Sequence, residues 1–185
     1  MTASGSSAAG RLAIPPRLID RGFALRPETE KDVPFLRRLY ISTRWEELAA
    51  IADWTDAQKI AFLESQFAAQ RSYYLSHYAS AAYDVLEQRG VPAGRLYLDR
   101  QADTLLIVDI ALLSEWCGRG IGTALLEEAI FAEARLSGKG VTISVEKFNP
   151  AQRLYRRLGF REYAESDVYW FMHWSPEPEA RGGIS

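Results

Sequence analysis

Apolar and polar residues follow one another in blocks that predict one strand and two helices in the first 80 residues. The short run "FALR" predicts the first strand. Thr29 and Asp32 form a capping box, which predicts that a helix starts there, and a longer helix is predicted from about Thr55 to His77. The apolar positions at helical spacing are Val33, Leu36 and Tyr40 in the first helix, and Ile60, Leu63, Phe67, Tyr74 and Tyr78 in the second.

Three extended runs follow, "AAYDVLEQ", "AGRLYLDR" and "TLLIVDIALL", separated by the turn signals "RGVP" and "QAD". They predict an antiparallel meander. The third run leads into the glycine-rich stretch "CGRGIGTALL", and the helix predicted after it ends at "SGKG". The strand "VTISVE" comes next, and such a crossover places its two strands side by side and parallel. The predicted helix has an apolar stripe of Ile121, Leu125, Ala129, Ala132 and Leu136.

The last part of the chain predicts a shorter helix in "NPAQRLYRRLGF" and a final strand in "VYWFMHW". The fold class is therefore predicted to be mixed α+β. The terminal strand either completes the sheet within one subunit or pairs across a homodimer, and the sequence leaves both arrangements open.

Length and composition narrow the class of protein. A chain of 185 residues with 48% hydrophobic content suits one domain, predicted over residues 18–174 between disordered tails at 1–17 and 175–185. A net charge of −2 with interspersed acids and bases argues against a nucleic-acid partner. One cysteine and two distant histidines predict neither a disulfide framework nor a metal site. Without a predicted membrane span or signal peptide, the expected location is cytoplasmic, with no membrane partner.

Three glycines before the helix, Gly118, Gly120 and Gly122, predict backbone N–H groups that are open to a phosphate. A P-loop is excluded, because no Lys-Ser or Lys-Thr pair follows the last glycine. A dinucleotide-binding loop fits poorly, because Thr123 and Leu125 stand where the two possible registers require the third glycine. Coenzyme A is the third phosphate-bearing ligand to consider.

Two segments are similar to motifs of the GNAT superfamily of acyl-CoA-dependent N-acyltransferases. "ALLSEWCGRGIGTALL" resembles the family's Q/R-x-x-G-x-G/A loop, with Arg119, Gly120 and Gly122 at its core and Cys117 where Gln or Arg is usual. "NPAQRLYRRLGF" resembles the family's N-x-x-A-x-x-L-Y-x-x-x-G-F segment, although its Asn stands one residue closer to its Ala. The resemblance extends over about residues 23–174, and the two motifs together are more specific than either alone.

The resemblance implies both a fold and a cosubstrate. It implies a mixed, mostly antiparallel central sheet flanked by helices, with a splay between the fourth and fifth strands that holds the pantetheine arm of acetyl-CoA. Backbone groups of Leu112 and Leu113 would pair with the pantetheine amides, and Asn149 would contact the coenzyme, cap the next helix, or do both. The full set of coenzyme-binding residues implied is Leu112, Leu113, Cys117, Gly118, Arg119, Gly120, Ile121, Gly122, Thr123 and Asn149.

Acyl transfer to an amine requires a proton donor for the departing thiolate and a base for the amine. The resemblance places Tyr155 at the family's general-acid tyrosine, with ordinary core packing as the alternative, and a phenol of pKa about 10 is protonated at neutral pH. Asp109 is the first choice of base, because an acid within the apolar run "LLIVDIALL" is costly unless it is paired or used. A purely structural carboxylate is the alternative for Asp109. Glu115 and Glu146, interpreted as solvated strand-end acids, and His77, interpreted as a helix cap, are reserve candidates.

The acceptor is less well specified. The resemblance implies that the first two helices and the final strands select it, and the first two helices offer an aromatic and acidic set compatible with a cationic amine: Trp45, Glu46, Tyr73, Tyr74 and His77. Cys117 is interpreted as a buried, inert thiol, with a redox-sensitive or acylated thiol as the alternative.

The leading hypothesis is an N-acetyltransferase that transfers an acetyl group from acetyl-CoA to a primary amine of a small molecule or peptide by direct attack in a ternary complex. A non-catalytic acyl-CoA-binding regulatory module of the same fold is the alternative. An enzyme that uses a nicotinamide or S-adenosylmethionine is a third hypothesis. The acceptor, the acyl chain length and the oligomeric state are left open.

Overall fold

The computed structural model describes residues 11–49 and 51–176. In chain order, the elements up to the meander are α1 (Pro16–Ile19), β1 (Phe23–Pro27), a 3₁₀ turn (Glu30–Asp32), α2 (Val33–Ala49), α3 (Asp56–His77), β2 (Ala82–Gln88), β3 (Val91–Arg100) and β4 (Thr104–Leu112). A second 3₁₀ turn (Ser114–Trp116) leads to a continuous helical stretch of α4 (Ile121–Ala124), a π-helical segment (Leu125–Ile130) and α5 (Phe131–Ser137). The chain then forms β5 (Gly140–Glu146), α6 (Gln152–Arg157), β6 (Arg161–Glu165) and β7 (Tyr169–Trp174).

The strands form one seven-stranded sheet in the order β1-β2-β3-β4-β5-β7-β6. All neighbouring pairs are antiparallel except β4 and β5, which are parallel, as the crossover between them predicts. Val85 and Leu86 are adjacent in β2 and belong to different apolar clusters, because successive side chains of a strand point to opposite faces. The helices α2 and α3 cover the Val85 face, and α4 and α5 cover the Leu86 face. The predicted mixed α+β class is confirmed.

The start of α2 is fixed by the carboxylate of Asp32. It accepts hydrogen bonds from the N–H and the hydroxyl of Thr29, both at 2.9 Å, and it pairs with Arg26 of β1 at 2.7 Å. The Arg26 guanidinium holds the pKa of Asp32 well below its usual range. Arg26 also pairs with Glu87 of β2 at 2.8 Å. The predicted helix start is therefore confirmed, and it ties α2 to the first two strands.

The segment before β1 differs from its prediction. The sequence placed residues 1–17 in a tail with no role in the core, but Leu12 is buried and Ile14 packs against the same apolar cluster. Leu18 of α1 is fully buried as well. The prediction was wrong for residues 11–17, because two isolated apolar residues among small and polar ones give no periodic signal. Residues 1–10 and 177–185 of the predicted tails lie outside the described residues.

The strand β6 is an element that the sequence pattern did not predict. All five of its residues are exposed, so neither face carries the apolar alternation by which a half-buried strand is recognised. Among the described strands it pairs only with β7, with a bulge between Glu162 and Ala164, and it forms one edge of their sheet. The predicted final strand, β7, is confirmed within the sheet between β5 and β6.

The helix after the glycine-rich loop does not keep the predicted stripe along its whole length. Its π-helical turns widen the repeat over Leu125–Ile130, so the buried positions after the π segment differ from those of a regular helix. Leu136, the last residue of the predicted stripe, is 90% exposed, whereas Ile130 is fully buried. The helix itself ends as predicted, with Gly138 in the left-handed region.

The sheet parts between β4 and β5. The two strands are paired only from Thr104–Ile107 to Gly140–Ile143, although β4 continues to Leu112 and β5 continues to Glu146. A bulge accompanies the parting: Tyr97 of β3 lies opposite Asp109, and its neighbour Leu98 lies opposite Ile107, so Val108 is skipped. The splay implied by the resemblance is therefore present, and its mouth lies beside the glycine-rich loop.

We predict that Ile130→Ala lowers the free energy of unfolding by about 2–5 kcal/mol, because it removes a fully buried side chain and leaves a cavity. Leu136→Ala, on the same helical stretch, is the matched control and should change that free energy by less than about 0.5 kcal/mol. Urea unfolding followed by circular dichroism measures both. A larger loss for Leu136→Ala would contradict the helical phase described above.

Candidate active site

The glycine-rich loop presents a run of unpaired backbone donors. Gly118 and Gly120 have φ angles of 70° and 75°, in the left-handed region that other residues rarely adopt. Within the described part of the chain, none of the N–H groups from Gly118 to Thr123 donates a hydrogen bond, and the next one, of Ala124, bonds the carbonyl of Gly120 at 3.0 Å. Six consecutive N–H groups are therefore open to an external acceptor.

The position of these groups favours an anion. They lie at the N-terminus of the helical stretch that runs from Ile121 to Ser137, where the aligned peptide dipoles give a partial positive charge. The helix α6 lies close to Gly122: a Cβ built there would stand 3.5 Å from Leu154 Cδ2, an ordinary van der Waals contact. The guanidinium of Arg119 lies 5.2 Å from the Trp116 ring centroid. The loop has the geometry and the charge to hold a phosphate or pyrophosphate.

The gap between β4 and β5 opens beside Leu112 and Leu113, and these two residues differ in whether their backbone groups can bond a ligand in the gap. The N–H of Leu113 already donates to the carbonyl of Ala93 in β3 at 3.0 Å, so the expectation that it is free was wrong. Because consecutive residues of a strand turn their backbone groups to opposite edges, those of Leu112 face the gap instead. Leu112 is thus the residue whose backbone is placed to pair with a ligand in the gap.

The thiol of Cys117 is exposed rather than buried, so the interpretation as a buried residue was wrong. It donates weakly to the carbonyls of Leu112 and Leu113, at 3.8 and 3.6 Å. Partial burial, and to a lesser extent Glu115, raises the pKa of the thiol above its ordinary value. The side chain is therefore in the protonated, weakly nucleophilic form at neutral pH.

Asp109 lies where β4 leaves β5, and it is held from two sides. Its Oδ2 accepts from Arg95 Nη2 of β3 at 2.5 Å and from the Tyr74 hydroxyl of α3 at 3.2 Å. Its Oδ1 has no hydrogen-bond partner among the described residues. Burial first, and then the charge of Asp109, raises the pKa of Tyr74, which keeps that hydroxyl a donor. One carboxylate oxygen is thus fixed while the other remains available.

Tyr155 is on α6, with its ring buried among the residues of the α4 and α5 face. Its hydroxyl makes no hydrogen bond with a described residue, and it is not among the side-chain atoms that are sealed from solvent. Burial, and then the charge of Asp109, raises the pKa of this hydroxyl above its ordinary value. The two predicted catalytic residues are therefore within electrostatic reach of one another, with a protonated phenol on one side.

Asn149 is exposed in the loop between β5 and α6. Its Oδ1 accepts from the N–H of Ala151 at 2.9 Å and closes the turn before α6, whose N-cap is Ala151. The interpretation of Asn149 as the N-cap was therefore wrong by two residues. Gln152, which sequence reasoning missed, fastens the same loop: its buried amide donates to the carbonyls of Glu146, at 3.0 Å, and Lys147. The loop that carries Asn149 and leads to Tyr155 is therefore fixed to the end of β5.

Glu146 stands across the gap from Asp109, at the end of β5. It pairs with Arg44 of α2 and accepts at 3.4 Å from the hydroxyl of Tyr169 in β7. Its interpretation as a solvated strand-end acid was wrong, because its side chain is only 18% exposed. Asp109 and Glu146 both contact helices of the α2–α3 face, so one face of the gap carries two carboxylates, each paired with an arginine.

The remaining candidates lie apart from this cluster. Glu115 is exposed beside the loop. His77 uses Nδ1 within its own helix, 2.9 Å from the Tyr73 carbonyl, and its ring stacks on Tyr73, which agrees with a cap role. Of the residues proposed to contact the acceptor, Tyr74 contacts Asp109, Trp45 packs against the α2–α3 cluster, and Glu46 is exposed.

The part of the chain that the structure describes has no group of three or more His, Cys, Asp or Glu placed to hold a metal ion. No helix there is long and apolar enough to cross a membrane.

Two arginines that pair with carboxylates of the candidate site were not predicted from the sequence. Arg95 is 5% exposed in the side chain, and its Nη2 bridges Asp109 and Gln70. Asp109 was selected because it is a charged residue within an apolar strand. Arg95 in "AGRLYLDR" meets the same criterion, so the same argument would have identified it. Arg44 gave no such signal, because it lies on a partly exposed helix and its partner is 102 residues away.

Comparison with known proteins agrees with this geometry. Residues 71–162 match the family model described as "Acetyltransferase (GNAT) domain". No curated protein matches the chain in sequence.

Solved structures give the same fold. PaiA N-acetyltransferase from Thermoplasma acidophilum in complex with coenzyme A is 14% identical, has a TM-score of 0.62, and is aligned over 83% of this chain and 98% of its own. The ribosomal-protein-S18-alanine N-acetyltransferase from Escherichia coli is 18% identical, with a TM-score of 0.55 over 88% and 99% of the two chains. The protein yncA from Salmonella typhimurium, solved with its cofactor acetyl-CoA, is 21% identical, with a TM-score of 0.50 over 89% of this chain and 99% of its own. The family match, the splayed sheet and the glycine-rich loop together show that this chain belongs to the GNAT superfamily.

Proposed function

We propose that the protein is an acetyl-CoA-dependent N-acetyltransferase that acts on a primary amine of a small molecule or peptide. The observation that carries the proposal is the run of six N–H groups from Gly118 to Thr123, beside the gap between β4 and β5, that bond to nothing in residues 11–49 and 51–176. The coenzyme-bound relatives support it, because PaiA was solved with coenzyme A and yncA with acetyl-CoA.

The coenzyme fits this site in a defined direction. Its pyrophosphate binds the loop N–H groups at the helix N-terminus. Its pantetheine arm enters the gap and pairs with the backbone of Leu112 in the manner of an added strand. The thioester then reaches the region between Asp109 and Tyr155. Bound coenzyme supplies an activated acetyl group there.

Asp109 is the proposed base. The acceptor nitrogen attacks the carbonyl carbon of the thioester, and the nitrogen must lose a proton as the new C–N bond forms. Oδ1 of Asp109, which has no partner among the described residues, takes this proton directly or through a water. Arg95 and Tyr74 keep Oδ2 in place during the transfer, so they act as positioning residues.

Tyr155 is the proposed acid. When the tetrahedral adduct collapses, the C–S bond breaks and the electron pair remains on the coenzyme sulfur. The Tyr155 hydroxyl donates its proton to that thiolate, and its raised pKa ensures that the proton is present at neutral pH. The reaction is a direct transfer within a ternary complex, because no covalent enzyme intermediate is required.

We predict that Gly120→Ala weakens acetyl-CoA binding by about tenfold or more, because an L side chain disfavours the left-handed backbone that aligns the loop N–H groups. Gly138→Ala is the matched control: its φ is also positive, at 67°, but it lies at the far end of the helical stretch. Isothermal titration calorimetry measures both affinities. Equal effects of the two substitutions would contradict a specific role of the loop.

We predict that Tyr155→Phe lowers kcat by about 10²- to 10⁴-fold and changes KM for acetyl-CoA by less than about twofold, because it removes only the proton donor. Tyr163→Phe, on the exposed strand β6, should leave both constants unchanged. Thiol release is measured with an amine acceptor found by screening. Unchanged turnover in Tyr155→Phe would remove Tyr155 from the mechanism, and absence of turnover with every amine despite tight coenzyme binding would favour a regulatory module.

We predict that kcat of the unmodified enzyme does not decline between pH 8 and pH 10. A tyrosine of ordinary pKa, about 10, would be half deprotonated at the upper limit. The raised pKa of Tyr155 keeps the hydroxyl protonated across this interval. A pH profile of kcat tests this expectation, and an alkaline limb with a midpoint below pH 10 that is absent from Tyr155→Phe would contradict it.

A further inference from the structure

Three arginines at the phosphate-loop end of the molecule have no carboxylate partner within the described ranges. Arg21 comes just before β1, Arg89 lies in the turn between β2 and β3, and Arg119 is part of the glycine-rich loop. None of the three forms an ion pair with a described residue. Some exposed arginines elsewhere do have such a partner: Arg17 and Arg37 each pair with a glutamate. What distinguishes the three is their position around the glycine-rich loop.

The Arg21 side chain reaches the backbone of the glycine-rich loop at Arg119. Arg21 Nη1 donates to the carbonyl of Arg119 at 3.2 Å. The Arg21 guanidinium lies 5.3 Å from the Phe23 ring centroid, as Arg119 does from Trp116 at 5.2 Å. The two rings contact edge to face, with their centroids 5.4 Å apart. A pair of aromatic rings therefore holds two uncompensated guanidinium groups beside the loop.

Arg89 joins them through an unusual turn. Its φ is 51° and that of Gly90 is 81°, which is a two-residue hairpin turn that normally takes Asn, Asp or Gly at its first position. An arginine in the left-handed region costs about 1 kcal/mol and therefore suggests a role for the side chain. That side chain lies across Gly22: a Cβ there would stand 2.7 Å from Arg89 Cγ, and the Arg89 N–H donates to the Gly22 carbonyl at 2.8 Å. Arg89 thus lies against Gly22, the residue that follows Arg21 in the chain.

We infer that Arg21, Arg89 and Arg119, the arginine rim, bind the 3′-phosphate of the coenzyme. The inference rests on the proposed function. Neighbouring guanidinium groups without acids repel one another, and an anion between them removes that repulsion. The loop N–H groups account for the pyrophosphate of the coenzyme. The phosphate that remains is the 3′-phosphate of the ribose, a phosphomonoester with nearly two negative charges, and the arginine rim adjoins the loop. The rim selects the phosphorylated coenzyme over its 3′-dephospho form.

The test compares the affinities of coenzyme A and 3′-dephospho-coenzyme A by isothermal titration calorimetry. We expect the unmodified protein to bind coenzyme A about tenfold or more tightly than the dephospho form. Arg21→Gln and Arg89→Gln should each reduce this preference to about threefold or less, and the double variant should abolish it. The single variants Arg21→Gln and Arg89→Gln should each bind the dephospho form with an affinity within about twofold of that of the unmodified protein. Arg37→Gln, which breaks an exposed pair between α2 and α3, should keep the full preference.

Two results would overturn the rim. One is equal affinity of the unmodified protein for the two ligands. The other is a loss in Arg21→Gln and Arg89→Gln that weakens both ligands alike, which would indicate damage to the loop. Failure of the unmodified protein to bind either ligand would instead overturn the proposed function, and the rim with it.

Discussion

The parting of β4 and β5 after four residue pairs is the constraint on which the candidate site depends. A parallel pair that continued to Leu112 would satisfy the backbone of β4 and leave no place for a ligand. The bulge at Val108 and the crossover through the glycine-rich loop separate the strands instead, and this separation leaves backbone groups at the β4 edge without a strand partner. Buried backbone groups are rarely left unpaired, so a gap of this kind is best explained by an extended ligand.

The same parting places charged pairs on either side of the gap. Arg95 with Asp109 and Arg44 with Glu146 are partly or fully buried, and such pairs contribute little net stability, because desolvation offsets their attraction. Their value is positional: each arginine fixes a carboxylate at the edge of a strand, on the face that α2 and α3 cover. Acyl transfer to an amine requires a base and a proton donor. The fixed carboxylate of Asp109, with one oxygen that no described residue contacts, and the protonated Tyr155 provide this arrangement.

The sequence was informative wherever one local rule determined the structure. The capping box at Thr29 and Asp32, the long helix Asp56–His77 and the strand-to-helix crossover follow from spacing over a few residues. Features that depend on distant partners escaped it. The ion pair between Glu146 and Arg44 and the hydrogen bond from the Leu113 N–H to the Ala93 carbonyl both join residues far apart in the chain. The local pattern of apolar and polar residues gives no sign of either. Strand β6 was not predicted because both of its faces are exposed. The exposure of Leu136 was not predicted because the π-helical turns shift the repeat of the helix.

The central claim is that the loop N–H groups bind the coenzyme, and amide chemical shifts test it most directly. In ¹H–¹⁵N correlation spectra of the labelled protein, titration with coenzyme A should shift the amides of Gly118 to Thr123 more than those around Gly138, at the other end of the same helical stretch. NAD, which also carries a pyrophosphate but lacks the pantetheine arm, should shift them little. If coenzyme A left the six loop amides unmoved, or if NAD moved them equally, the proposed coenzyme site would be wrong.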